Sequence, residues 1–176
     1  MVTHLTSFLA GEEPDTAGRM IGDIWRKPET WLESRHDFIQ WLFPLPEPSG
    51  ANLDAPLLTP DDAARIAASV ALRQALLTST DTMMRLYGIR RVGDMFSRGE
   101  GFPGPFSDWL GPIDHNHLRF TRMLRCLALC GLGDTAQGLR GLLFNIAATE
   151  ALGAWSTALR YWRDAGLAPP GWPVGA

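Results

Sequence analysis

Thr59-Pro60-Asp61-Asp62-Ala63-Ala64-Arg65-Ile66-Ala67-Ala68-Ser69-Val70-Ala71-Leu72 decides the fold class, because it reads as the opening of a long helix. A hydroxyl stands at the cap position, Pro occupies the first helical position where its missing N–H costs nothing, and two carboxylates follow against the positive helix end. At 100° per residue Ile66, Val70, Leu77 and Met84 fall on one stripe, and Leu72, Leu76, Met83 and Tyr87 on the adjacent one. Together they make an apolar arc of roughly 160°, too broad for a helix with a single neighbour. A central helix over about residues 60–86 is expected, stopped by Gly88 in the left-handed conformation.

Helical spacing also governs the chain on either side. Downstream, helices are expected from Asp114 to Gly131, with the stripe Phe120, Met123, Leu124 and Leu127, and from Asp134 to about Thr149, with Leu139, Leu142, Leu143 and Ile146. A last helix runs from about Trp155 to Ala165, with Ser156 as a cap candidate and Trp155 and Trp162 on one face, before a Pro/Gly tail over 167–176. Upstream, Leu5 to Ala10, Thr16 to Arg26 and Glu29 to Leu42 read as short helices divided by Pro14 and Pro28. No run of alternating β-branched residues predicts a strand; between Gly88 and Asp114 the chain reads as a Gly/Pro-rich loop at about 97–113, with a short helix fitted around Arg90 to Phe96. The expectation is an all-α fold, a single-domain orthogonal and irregular helical bundle over 1–176 around the central helix. Phe102, Phe106 and Trp109 should tie the loop to it.

Composition sets the outer bounds. At 176 residues, 45% of them hydrophobic, the chain can bury a core without a disulfide or metal staple. Cys126 and Cys130 lie four apart in an apolar stretch, which is neither a secreted disulfide framework nor a zinc set, so a reduced, cytoplasmic setting is expected. The longest uncharged stretch, Ala165 to Ala176, falls short of the about 20 residues a spanning helix needs and holds several Pro and Gly. No basic residue precedes Arg19, so the charged start of a signal peptide is missing. Charge is unevenly placed: residues 1–62 hold 4 basic and 11 acidic side chains, and the remainder 12 and 8. The simplest expectation is that the acidic part packs on the basic part and much of the asymmetry is internal. A sequence pI near 5.8 also speaks against nucleic-acid binding.

Signatures of catalysis are missing: no Gly-x-Ser-x-Gly, Walker loop, Gly-x-Gly-x-x-Gly or His-Glu-x-x-His occurs. The densest polar set is Asp114-His115-Asn116-His117-Leu118-Arg119-Phe120-Thr121-Arg122 at a helix start, where backbone N–H groups favour anions. His115 and His117 point about 200° apart on a helix, which argues against a shared metal ion. Arg119 lies at the border of the apolar stripe, so a buried pair with a carboxylate of the acidic part is its leading structural role. The second set runs from His36 to Ser49. Phe38, Ile39, Trp41, Leu42 and Phe43 make it a core anchor, and His36 and Gln40, one helical turn apart, are its polar exception.

The run His36-Asp37-Phe38-Ile39-Gln40-Trp41-Leu42-Phe43-Pro44-Leu45, followed by Glu47-Pro48-Ser49, Asn52, Ala55-Pro56 and Leu58-Thr59, resembles the hallmark segment of the opioid growth factor receptor conserved region. Leu86-Tyr87-Gly88-Ile89-Arg90 and His115-Asn116-His117-Leu118-Arg119-Phe120-Thr121-Arg122-Met123-Leu124 with Leu132-Gly133 are similar to later blocks of that family, in the same order. The resemblance covers about residues 31–150 and implies a single-domain relative of bacterial type. The chain departs from the animal receptors in the Gly/Pro-rich segment Gly99 to Pro112 and in the absence of a long repeat-bearing extension. What it implies is a non-enzymatic binding module for a peptide or protein partner, with no cofactor and no catalytic residue to carry over. His36, Gln40, Asn52, His115, Asn116 and Arg119 are expected to converge on one cleft, with Trp41 and Arg122 beside them. The alternative is an enzyme using His36 or His115 as acid or base and Arg119 to hold an anionic substrate.

Overall fold

Thr59 and Asp62 form the expected helix start as a reciprocal box. The Thr59 hydroxyl accepts from the Asp62 N–H at 3.1 Å, and the Asp62 carboxylate accepts from the Thr59 hydroxyl at 2.6 Å. In the computed structural model, which describes residues 2–150, 156–167 and 172, this helix is α5, Pro60–Ala68. It ends earlier than expected. Ser69 is extended (φ −98°, ψ 118°), and its hydroxyl caps a new helix, α6, Val70–Leu86, by accepting from Leu72 N–H at 3.3 Å. A serine that bonds its own neighbouring backbone offers the chain an alternative to continuing the helix. Val70, assigned to the buried stripe, is consequently 74% exposed, whereas Leu76, Met83 and Met84 are buried.

α6 remains the longer central helix. Against it pack α1 (His4–Leu9), α2 (Ile21–Trp25) and α3 (Glu29–Ser34). The Trp25 indole N–H donates to Ser79 Oγ of α6 at 2.9 Å. The expected helix Glu29 to Leu42 is broken: Arg35 is extended, and a four-residue helix, α4 (Ile39–Leu42), follows after a link. His36 therefore sits in the link and does not share a helical face with Gln40.

After α6 the chain turns at Gly88 (φ 60°) into a hairpin the sequence reading missed. Strand β1 (Ile89–Val92) pairs antiparallel with β2 (Met95–Arg98), Ile89 opposite Arg98 and Val92 opposite Met95. The short helix around Arg90 to Phe96 does not form. Gly93 (φ 59°) and Asp94 make the two-residue turn, and only Ile89 and Phe96 are buried, too few to print an alternating pattern. The Gly/Pro-rich segment that follows is irregular apart from a 3-10 turn at Ser107–Leu110. Trp109 fastens it: the ring is fully buried against Tyr87 and Phe120, and its indole N–H donates to Pro103 O at 2.8 Å.

The remaining helices are α7 (His115–Leu129), α8 (Gly133–Thr149) and α9 (Ser156–Asp164). Asp114 caps α7 as expected, but α8 begins at Gly133, so Asp134 lies inside its first turn and Leu132 takes the cap position without a side-chain bond. Phe120, Met123, Leu124 and Leu127 of α7 and Leu139, Leu143 and Ile146 of α8 are buried in one core, while Leu142 is only partly covered. The α9 Trp162 indole N–H donates to His117 O at 3.1 Å. Trp155, the capping of Ser156 and all of the 167–176 tail except Leu167 and Trp172 lie outside the described residues. Among the described residues the result is an irregular helical bundle with a small two-stranded hairpin.

Candidate functional site

Three elements meet at Arg119: the end of α3 with the link after it, the end of α6, and the first turns of α7. Arg119 is 4% exposed. Its Nη2 donates to the backbone carbonyls of Arg35 at 2.6 Å and Glu33 at 3.2 Å, and its Nη1 donates to Asn116 Oδ1 at 3.1 Å and faces Glu33 Oε2 at 3.4 Å. These contacts explain the break after α3, since carbonyls that would continue the helix are turned to the guanidinium. Asn116, one turn before Arg119 on α7, donates to the Glu33 carboxylate at 3.3 Å and accepts from the Tyr87 hydroxyl at 2.8 Å. Burial pushes the Tyr87 phenol well above its ordinary range, so it stays a neutral donor. The guanidinium is committed to Glu33, Asn116 and backbone carbonyls. It is not presented to a substrate anion, as the enzyme alternative required.

Outside this buried network lie two imidazoles. The rings of His36 and His115 meet edge to face at 5.0 Å. His115 Nε2 is 3.2 Å from Glu33 Oε1, and its Nδ1 is 3.7 Å from Asp114 Oδ1. His36 Nδ1 is 3.5 Å from Arg119 Nη2, a geometry that suits the neutral ring, with Nδ1 as acceptor. Partial burial, then the Arg119 guanidinium, then His115 hold His36 below its ordinary value of 6.5.

The structure thus brings together His36, His115, Asn116 and Arg119, and it does not bring the others. Gln40 is buried and donates to Ser49 Oγ at 3.1 Å; its Oε1 has no hydrogen-bond partner among the described residues. Trp41 is core, edge-on to Phe8 and His4. Asn52 donates to Asp37 O at 2.6 Å and so fastens the 49–54 turn. Arg122 donates to Phe43 O at 3.0 Å, and burial lowers its pKa. The expected single cleft is therefore two separate sets of contacts: one around Arg119, the other holding the turn at Ser49 to Asn52. Glu33 and Tyr87 were missed as members; the signals available were Glu33's place in the acidic part and Tyr87's place in a family block.

Part of the charge asymmetry is met by pairs across the two parts: Arg85 with Glu29 at 2.7 Å, Arg119 with Glu33 at 3.4 Å and Arg125 with Glu47 at 2.5 Å. A recess of about 370 Å³ between α7, α8 and α9 is lined by neither His36 nor His115. Its floor, including Leu124, Ala136 and Trp162, is already buried. Among the described residues no group of three His, Cys, Asp or Glu could hold a metal ion, and His117 instead bonds Trp109 O at 2.8 Å. No described helix is long and apolar enough to cross a membrane.

Residues 13–159 match the family model described as the Opioid growth factor receptor (OGFr) conserved region. The opioid growth factor receptor of Mus musculus is 36% identical over 121 residues, a match covering 65% of this chain and 19% of that protein. That of Homo sapiens is 36% identical over 121 residues, covering 65% and 18%. The opioid growth factor receptor-like protein 1 of Mus musculus is 31% identical over 129 residues, covering 72% and 27%. The match spans about a fifth of the length of the receptors. No solved structure matches the chain. With the family model reaching from the 11–20 turn into α9, and with its blocks meeting around Arg119, the chain belongs to the opioid growth factor receptor conserved-region family.

Proposed function

We propose that the chain is a non-enzymatic binding module that docks a peptide or protein partner on the outer face of α7's first turns. The observation that carries the reading is the exposure of Leu118, 69%, one turn after His115 on α7. His115, Leu118, Arg122 and Arg125 form one stripe at i, i+3, i+7 and i+10. The chain from Phe43 to Glu47 crosses the latter half through Arg122 and Arg125, leaving His115 and Leu118 uncovered. Ile113, just before α7, is 93% exposed. An apolar residue framed by polar donors on a rigid backing is a normal docking arrangement.

A photo-crosslinking residue placed at position 118, compared with one at Leu53, which is still more exposed at 82%, tests the reading in the native host. One discrete adduct at 118, competed by unlabelled chain, is expected; adducts equal at both positions would overturn it. The cytoplasmic setting belongs to the same proposal, and what supports it is a pair of free buried thiols, Cys126 and Cys130, the former held in its protonated form by burial. Placement among bacterial-type relatives also belongs to it, with the Gly99 to Pro112 segment as its distinguishing feature.

A further inference from the structure

We propose that the partner of the α7 face is a peptide segment presenting a carboxylate beside an aliphatic side chain, the carboxylate received by His36 and His115 with uptake of a proton. This holds only if the α7 face is the docking surface. The sign of the partner follows from which groups near Leu118 are already used. The Glu33 carboxylate receives Arg119, Asn116 and His115. Asp37 takes Arg19 at 3.1 Å, and Asp114 accepts the Asn116 backbone N–H at 2.8 Å. These three carboxylates are therefore each engaged from within. The groups left over are donors. Arg35 is exposed and its side chain has no ion pair among the described residues, His36 is exposed with only its Nδ1 edge turned inward, and His115, with Nε2 at 3.2 Å from Glu33 and Nδ1 at 3.7 Å from Asp114, offers Nδ1 as a donor once its ring is protonated.

The groups facing His36 are Glu33 from α3, Asp37 in its own link, Arg119 and His115 from α7, with Tyr87 behind them at the end of α6 and Arg19 reaching Asp37 from the turn before α2. A second proton on His36 of the free chain would sit on Nδ1 facing Arg119 Nη2, and the Glu33 and Asp37 carboxylates beside the ring are already engaged by other donors. A partner carboxylate beside the ring reverses that balance, so the bound complex holds the proton more firmly than the free chain does. By linkage, binding then tightens as pH falls, by up to about tenfold per pH unit for one proton. The neighbouring aliphatic group would cover Leu118.

The test uses an array of N-acetylated, C-amidated octapeptides carrying one Asp or Glu next to Leu or Ile, each paired with its Asn or Gln counterpart. Binding to the full chain is followed by titration of the histidine ring resonances between pH 6 and 8. Expected are acidic members that shift His36 and His115, bind about tenfold tighter than their amide counterparts at pH 6, and lose that advantage by pH 8. His36→Gln, at an exposed position, should remove the pH dependence without changing the melting temperature at pH 8, and Leu118→Glu should abolish binding. Amide counterparts that bind equally, or a pH dependence that survives His36→Gln, would overturn the carboxylate inference and leave the docking reading standing. Bound peptides indifferent to Leu118→Glu, or no binding at millimolar peptide, would overturn both.

Discussion

At the scale of single residues the decisive group is a cation that burial leaves only 4% exposed. Arg119 holds together a carboxylate, an amide and two main-chain carbonyls from a distant part of the chain. Removing one partner of such a buried arrangement leaves the rest unpaired, so Arg119→Ala should cost about 3–5 kcal/mol in urea unfolding, and Arg119→Lys should recover only part of it because an ammonium lacks the planar fork. A loss of partner binding in Arg119→Ala would thus report unfolding first. His36 behaves differently, being exposed. Its proton affinity is lower in the folded chain than the ordinary value of 6.5, so the unfolded chain binds more protons below that value. The stability contributed by neutral His36 is complete above about pH 6.5 and is lost as pH falls through it toward the folded value. Comparing urea midpoints at pH 7.5 and 5.5, wild type should lose more on acidification than His36→Gln. Much of this was legible beforehand: the stripe border singled out Arg119, and the acidic first part foretold a carboxylate partner. That the partner is Glu33, and that carbonyls of the link share the work, depends on a contact across more than eighty residues that no local spacing encodes.

At the scale of elements, α8 carries two glycines with opposite prospects. Ala is favoured over Gly inside a helix by roughly 1 kcal/mol. At Gly141 nothing lies within 4 Å of an added Cβ, so Gly141→Ala should raise the urea midpoint by an amount of that order. At Gly138 an added Cβ would overlap the Asp94 carbonyl oxygen at the hairpin turn. That clash exceeds the propensity gain, and Gly138→Ala should destabilise by about 1–3 kcal/mol, with fastest amide exchange in β1 and β2. The hairpin it supports was the main element the sequence hid. Gly93-Asp94 is a recognisable turn pair, but four-residue strands with one buried side chain each leave no period to detect. The cut between α5 and α6 was hidden for a related reason: Ser69 is compatible with a helix interior, and only its use as a cap divides the apolar arc into two faces.

For the whole molecule, charge arranges the two parts but does not hold them equally at every pair. Glu29 and Glu47 are substantially exposed, so Glu29→Gln and Glu47→Gln should each cost less than about 1 kcal/mol and lose even that in high salt. Glu33, sheltered and receiving three donors, should cost more than about 2 kcal/mol as Glu33→Gln, with little salt dependence. Denaturation of the three variants at low and high salt checks the ranking. The bundle class, the central position of α6 and the role of Trp109 in fastening the loop were readable from helical spacing and from aromatics placed at breaks. The single cleft was not, because Asn52 and Gln40 bond within their own neighbourhood and never reach α7. Arg119 also grips main-chain oxygens, which every amino acid supplies, so the identities of residues 34 and 35 are left open by the clamp. A lineage could therefore rewrite the side chains displayed at that edge, and with them its choice of partner, while Glu33, Asn116 and Arg119 stay fixed together as the unchanging mount.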